Sequence, residues 1–344
     1  MISKAGALLR NYQSLTGKRV LMLTAGLVML TVTMIGGVCT GASGMDWTEV
    51  LAALFRDTGK NHSIVWLLRL PRTVMAALIG FGLGTAGAVF QAVLGNPLAS
   101  PYTLGVGSAA GFGAVTAIVF LGGSLSTWRA GACAFAFSLA SAGFIMAVAR
   151  LRRASSETMI LAGIAQMFLF SSLTSMLQYL GTREQVYEIV FWFFGSLSKA
   201  GWPEIALASV MILPPLPLLV LYAWDYNLLV SGDESAMALG VDVKKLRMHS
   251  IGAASLMTAG GICFTGVIGF VGLVAPHITR MLLGNDHRFL FPASGITGAL
   301  LVVAADTLGR TLWAPQVIPV GIVTAFIGVP FFFYLLMKRT QRNR

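Results

Sequence analysis

Charge is scarce in this sequence, and acidic charge most of all. Asp and Glu number 13 among 344 residues, against 24 Lys and Arg, and charged residues together make up 11%. A soluble domain carries about twice that share, so a water-facing globular enzyme is excluded. Cysteine is also rare. Cys39, Cys133 and Cys263 lie in apolar stretches, odd in number and without metal-ligand spacing. That excludes a disulfide framework or a zinc site and leaves packing roles. The four histidines show no ligand spacing either, and His277, beside Pro276, reads as a packing or hydrogen-bonding residue. No GxxxxGK[ST] phosphate loop is present. The stretch 105–111 (GVGSAAG) resembles a dinucleotide loop only superficially, because its spacing is wrong and it opens an apolar run. No catalytic constellation is visible, and no metal or cofactor site.

Long apolar runs are what the sequence has instead. Hydrophobic residues make up 56% of it, and runs of about 20 such residues cross a bilayer. The chain reads as an all-α polytopic membrane protein, a single domain over 1–344 with ten spans. These are 20–39, 71–93, 105–122, 129–149, 158–179, 203–223, two spans within 250–283 joined by a glycine turn, 289–309 and 317–337. The segment 180–201, with Phe191-Trp192-Phe193-Phe194, reads as a short interfacial helix. Without a small-residue cleavage site after Lys18 and Arg19, the first span reads as retained rather than as a signal peptide.

The basic residues fall in short loops and tails between the runs, which marks them as topology signals rather than a nucleic-acid surface. With ten spans and both termini inside, 16 of them lie inside and 8 outside. The inside set includes the tails 1–19 and 338–344, Arg150, Arg152 and Arg153, and Lys244, Lys245 and Arg247 within the polar loop 224–248. The outside set includes Arg56, Lys60, Arg69, Arg72 and Arg310.

Four stretches stand out. Arg69 and Arg72 bracket a proline at the start of the second span, in which Gly80, Gly84, Gly87 and Gln91 share one helix face. Small residues let helices approach closely in lipid, and a Gln hydrogen-bonds across the contact, so this helix is expected inside the bundle. Asn96-Pro97-Leu98-Ala99-Ser100-Pro101 then ends the helix. This break and the turn 150–157, which contains Ser155 and Ser156, read equally as a pathway constriction or as ordinary turns. Asp306 has Arg310 four residues on. An unpaired charge at the membrane centre costs about 2.5–3.5 kcal/mol on insertion scales, so an i,i+4 pair is expected, with an ion relay as the functional alternative. Finally, 231–247 begins with Asp233 and Glu234, continues through Ala238, Leu239, Gly240 and Val241, and ends basic. The charges suit helix dipoles, and Gly240 is expected to break it into two short helices. It reads as a docking element or as a solvated loop.

These stretches carry a resemblance. RLPRTVMAALIGFGLGTAGAVFQAVLGNPLASPYTLG at 69–105, ILAG at 160–163, GDESAMALGVDVKKLR at 232–247, the run 266–310 and IPVGIVTAFIGVPFFFYLLMK at 318–338 together resemble the FecCD family. That family comprises the permease subunits of bacterial ABC importers for ferric siderophores, haem and vitamin B12. The resemblance implies a type II importer fold in the inner membrane and a second permease subunit, as homodimer or heterodimer. It also implies two cytoplasmic ATPase subunits, which bind ATP and Mg, and a periplasmic binding protein. The chain itself would be no enzyme. The resemblance places binding-protein docking on Arg69, Arg72 and Arg310, and ATPase coupling on Asp233, Glu234, Ala238, Leu239, Gly240 and Val241. Gates fall on Asn96, Leu98, Ser155 and Ser156. Gln316 departs from the acidic residue of many relatives.

The expected function is therefore import of a metal chelate, with a ferric siderophore first and haem or cobalamin as alternatives. A proton-driven secondary transporter needs buried titratable groups and inverted repeats, and neither is visible. A membrane anchor needs no gate-like breaks. The topology is testable with single cysteines in a cysteine-free background and an impermeant thiol reagent. Positions 155, 242 and 286 should label only from the inside, and 62, 184 and 316 only from the outside. Outside labelling of 286 contradicts the paired spans of 250–283.

Overall fold

A computed structural model describes residues 2–41, 45–55, 60–122, 128–150 and 155–342. Arg56, Asp57, Arg152 and Arg153 lie outside the described residues. Those described form helices and no strands. In order they are α1 (Ile2–Cys39), α2 (Trp47–Phe55), α3 (Lys60–Ile64), α4 (Leu70–Val93), α5 (Val106–Phe120), α6 (Trp128–Arg150), α7 (Ser156–Leu180) and α8 (Arg183–Phe194). They continue with α9 (Trp202–Ile212), α10 (Pro215–Leu221), α11 (Ala223–Leu229), α12 (Asp233–Ala238), α13 (Val243–Thr265), α14 (Val271–Leu283), α15 (His287–Thr311) and α16 (Val320–Arg342).

Helices stand at all ten expected span positions, with α9 and α10 sharing one. Among the described residues six stretches are long and apolar enough to cross a membrane alone, and three further apolar helices are shorter. The chain is a multi-pass membrane protein. The expected interfacial helix is α8, started by a capping box between Thr182 and Gln185.

Three boundaries differ from expectation. The second span begins near residue 60 rather than 71, because a π-helical turn, Val65–Arg69, carries α3 into α4. Pro71 lacks an N–H and its ring crowds the preceding turn; the wider π turn lets the helix pass through it. The sixth span is interrupted at Pro214-Pro215, between α9 and α10. The run 250–283 divides at 266–270, where Gly266 and Phe270 adopt positive φ of 68° and 66°. Its first helix starts earlier than expected, at Val243, so Lys244, Lys245 and Arg247 form helix rather than loop. For the same reason Gly240 separates the short α12 from a long helix, not from a second short one.

α4 is the buried axis. In its most apolar window 78% of residues are buried, against 67% in α15 and 6% in the peripheral α1. The face bearing Gly80 and Gly84 meets the backbone of α15 at Gly298 and Ser294, and Gly87 meets Gly272 of α14. A Cβ on any of the three would collide with a backbone carbonyl oxygen. Around this axis Met75, Ile79, Leu83, Phe90, Ile212, Met257 and Val302 are all nearly inaccessible.

The closeness of this contact gives a prediction. Gly87→Ala places a methyl on the Gly272 carbonyl and should lower stability by about 1–3 kcal/mol, as overpacking does. Gly143→Ala, in a helix position with nothing within 4 Å, should not. Thermal unfolding of the purified variants in detergent reads both, and equal midpoints contradict the packing.

Candidate functional site: polar joints at the two ends of α4

At the N-terminal end of α4 two arginines meet one carboxylate, and a third, Arg69, binds the end of α1. Asp306 of α15 is 2% exposed. The Arg72 Nε donates to its Oδ1 and Oδ2 at 2.9 and 3.1 Å, and Nη2 donates to Oδ1 at 2.8 Å. Arg310 Nε donates to Oδ2 at 3.0 Å, the i,i+4 pair the sequence suggests. Arg310 also donates to the carbonyls of Thr40 at 3.1 Å and Gly37 at 3.0 Å. Arg69 Nη1 donates to those of Val38 at 2.9 Å and Cys39 at 3.0 Å. The last carbonyls of a helix have no intrahelical donor and carry partial negative charge. The α1 terminus thus adds its negative potential to that of Asp306 around Arg69 and Arg310.

This geometry departs from an open basic patch. Arg69 and Arg310 are only 5% and 7% exposed, and their hydrogen bonds to the Gly37, Val38, Cys39 and Thr40 carbonyls bind α1 to the bundle. Arg72, as a partner of Asp306, was not legible in the sequence. The available signal was that an intramembrane carboxylate attracts every cation at its depth.

At the C-terminal end of α4 the central group is Arg247. Its Nη1 lies 2.9 Å from Asp233 Oδ2. Nη2 donates to Asp233 Oδ1 at 3.0 Å and to Ser156 Oγ at 2.8 Å, and Nε donates to the Val93 carbonyl at 3.3 Å. Asn96 folds the break after α4 by accepting from the Leu98 N–H at 2.9 Å, and Leu98 is exposed. Ser155 caps α7, accepting from the Thr158 N–H at 3.3 Å. Gln91 bridges α4 to α14, accepting from Arg280 and approaching the Leu273 carbonyl with its amide nitrogen. A cavity of about 380 Å³ lies among Gln91, Pro97, Ser156, Asp233, Arg247 and Arg280.

α12 projects from this joint. Ala236 is buried beneath it, and Met237, Ala238, Leu239 and Glu234 are exposed, Leu239 to 63%. Gly240 turns the chain at φ 93°. Val241 is buried and donates back to the Ala236 carbonyl at 3.0 Å. Asp242 then caps α13 through the Lys245 N–H at 3.0 Å, which holds its carboxyl below the usual range. Nearby, Asp286 joins α1 to α15, 2.8 Å from Arg19 and 2.6 Å from Arg288. Burial raises its pKa, but hydrogen bonds from Arg288 and Asn227 outweigh that and bring it down to about 2.

Elsewhere, α8, the 266–270 turn and α16 line an apolar cavity of about 530 Å³ with Phe193, Phe194, Val267, Phe270, Ile322 and Phe326. Among the described residues no three His, Cys, Asp or Glu side chains gather as a metal site would.

The sequence profile of the FecCD transport family matches residues 28–338. The chain belongs to the FecCD transport family. A hemin transport system permease protein of Yersinia pestis is 34% identical over 94% of this chain and 97% of its own length. A cobalamin import system permease protein of Halobacterium salinarum is 40% identical over 88% of this chain and 82% of its own. Among solved structures, a metal-chelate type ABC transporter in an inward-facing conformation superposes with a TM-score of 0.81 at 31% identity, over 92% of this chain and 99% of that one. In this FecCD permease, of the residues expected to be gates, Asn96, Leu98, Ser155 and Ser156, it is Ser156 that bonds Arg247, beside the Val93 carbonyl, while Asn96 and Leu98 bond each other and Ser155 caps α7. The residues expected to dock a binding protein, Arg69, Arg72 and Arg310, come together on Asp306 and α1.

The Asp306 joint makes a stability prediction. Asp306→Asn leaves the Arg72 and Arg310 guanidinium groups without their shared counter-charge. It should destabilise the subunit by about 3–5 kcal/mol, the cost of breaking a buried pair from one side. Removing the carboxylate with both its arginines, Arg72→Met and Arg310→Met with Asp306→Leu, should cost less. Denaturant unfolding in detergent compares them, and an unchanged Asp306→Asn midpoint contradicts the joint.

Proposed function

We propose that the chain is the membrane subunit of a binding-protein-dependent ABC importer of a metal chelate, with a ferric siderophore as first substrate. Haem and cobalamin, named for the relatives, are the alternatives. The subunit moves substrate by alternating access and performs no bond chemistry; ATP and Mg belong to the ATPase partners. α12 faces the cytoplasm, together with both termini, and the Asp306 end faces the periplasm.

The observation that carries this reading is α12 itself. In a membrane protein of this family, a six-residue helix with exposed Met237 and Leu239 at its tip, rooted by Arg247 in the bundle, is suited to a soluble partner's groove. The apolar cavity of α8 and α16 supports a pathway for a bulky chelate, because such walls bind weakly enough to release it. The arginine joint at the other end carries net positive charge and would attract carboxylates of a binding protein, Arg72 being the least buried of the three.

The test is reconstitution. Vesicles containing the permease, its ATPase and its binding protein should take up chelate only with ATP inside and binding protein outside. A panel of ferric siderophores, haem and cobalamin identifies the substrate. Leu239→Glu should abolish ATPase copurification and uptake while the permease still inserts. Uptake without ATPase, or driven by a proton gradient alone, contradicts the proposal.

A further inference from the structure

We propose that Arg247 is the positioning residue through which α12 and both gate segments move as one body. The inference deepens the reading above and rests on it. One planar guanidinium, 8% exposed, holds three element termini. Asp233 is the first residue of α12, Ser156 is the first of α7, and the Val93 carbonyl is among the last of α4. These partners lie 14, 91 and 154 positions from Arg247 in sequence, so nothing local brings them together. Two of the contacts also suit the helix ends that make them. The Val93 carbonyl is an orphan acceptor of the α4 C-terminus. Asp233 places a carboxylate at the start of α12, where the helix dipole favours it.

The chemistry requires arginine. Its fixed fork presents five N–H donors in one plane, so it can pair bidentately with Asp233 while reaching Ser156 and the carbonyl. Lysine offers a point charge that cannot span the three. The joint is also asymmetric. The Asp233 side chain is 42% exposed, whereas that of Arg247 is 10% exposed. If a partner drew α12 away alone, the guanidinium would stay buried without its carboxylate, the costly half of a broken pair. Moving α12 with the end of α4 and the start of α7 avoids that state. Force applied at Met237 and Leu239 therefore reaches the turn at Asn96 and Leu98 and the cap at Ser155 in the same step.

A residue that only held the fold would lower yield or stability and leave coupling intact. The discriminating readout is therefore chelate transported per ATP hydrolysed, in vesicles holding the complete transporter. Arg247→Gln should still copurify with the ATPase and hydrolyse ATP. Its transport per ATP should fall at least about tenfold, the factor that one lost charged hydrogen bond corresponds to. Arg247→Lys should fall between it and the wild type. Ser156→Ala removes one arm without uncovering a charge, so it remains informative if Arg247→Gln fails to fold, and it should lower the same ratio. An unchanged ratio in Arg247→Gln, or in Ser156→Ala should the first not fold, overturns the inference while the importer stands. A wild-type complex that takes up no chelate with ATP and binding protein overturns the importer reading and the inference with it.

Discussion

The contact that the rest of the structure depends on is the backbone approach of α4 to α15 and α14. Lipid tails are as apolar as leucine, so membrane helices gain little from burying apolar surface against one another. They gain from close packing, and Gly80, Gly84 and Gly87 make that possible at Gly298, Ser294 and Gly272. The contact also resists sliding. A slip of one residue, about 1.5 Å of rise, would turn Leu83 or Thr85 toward the place that only a glycine fits. Between Gly80 and Gly87, α4, α14 and α15 therefore behave as one body, and the ends of α4 beyond that stretch carry the joints.

What is attached there is charge. The chain has few acidic residues, and two of them hold the joints: Asp306 at one end of α4 and Asp233 at the other. Each is met by arginine, which presents its donors as a fork. At the Asp306 end the carbonyls of α1 complete the coordination, so a peripheral helix is fastened to the axis by electrostatics as well as by the packing of Leu30 and Met34 against the core. At the Asp233 end the completing groups are Ser156 and the Val93 carbonyl, which brings α7 and α12 to the same point. One end of the axis is closed and buried; the other carries an exposed helix.

The local periods in the sequence showed much of this. Apolar runs located the spans, the four-three-four spacing of Gly80, Gly84, Gly87 and Gln91 showed the packed face, and the i,i+4 spacing showed Asp306 with Arg310. The Asp-Glu start and Gly240 marked α12. What stayed hidden is long-range. Arg72 meets Asp306 across 234 positions, and Arg247 meets Val93 across 154. No periodicity reports such pairs, and the inside-positive tally had already given Arg247 a sufficient reason to exist. The helical start of the second span was hidden because Pro71 reads as a beginning unless a π turn precedes it.

The central claim is that the middle of α4, from Met75 to Phe90, is a fixed axis between two joints. Hydrogen exchange of the assembled transporter tests it directly, compared between nucleotide-free and ATP-trapped states. The account predicts that amides from Met75 to Phe90 exchange slowest and identically in both states, while those of α12, the 94–105 segment and the start of α7 change together. Faster exchange within α4 in either state would contradict it, because the axis would then be one of the moving parts.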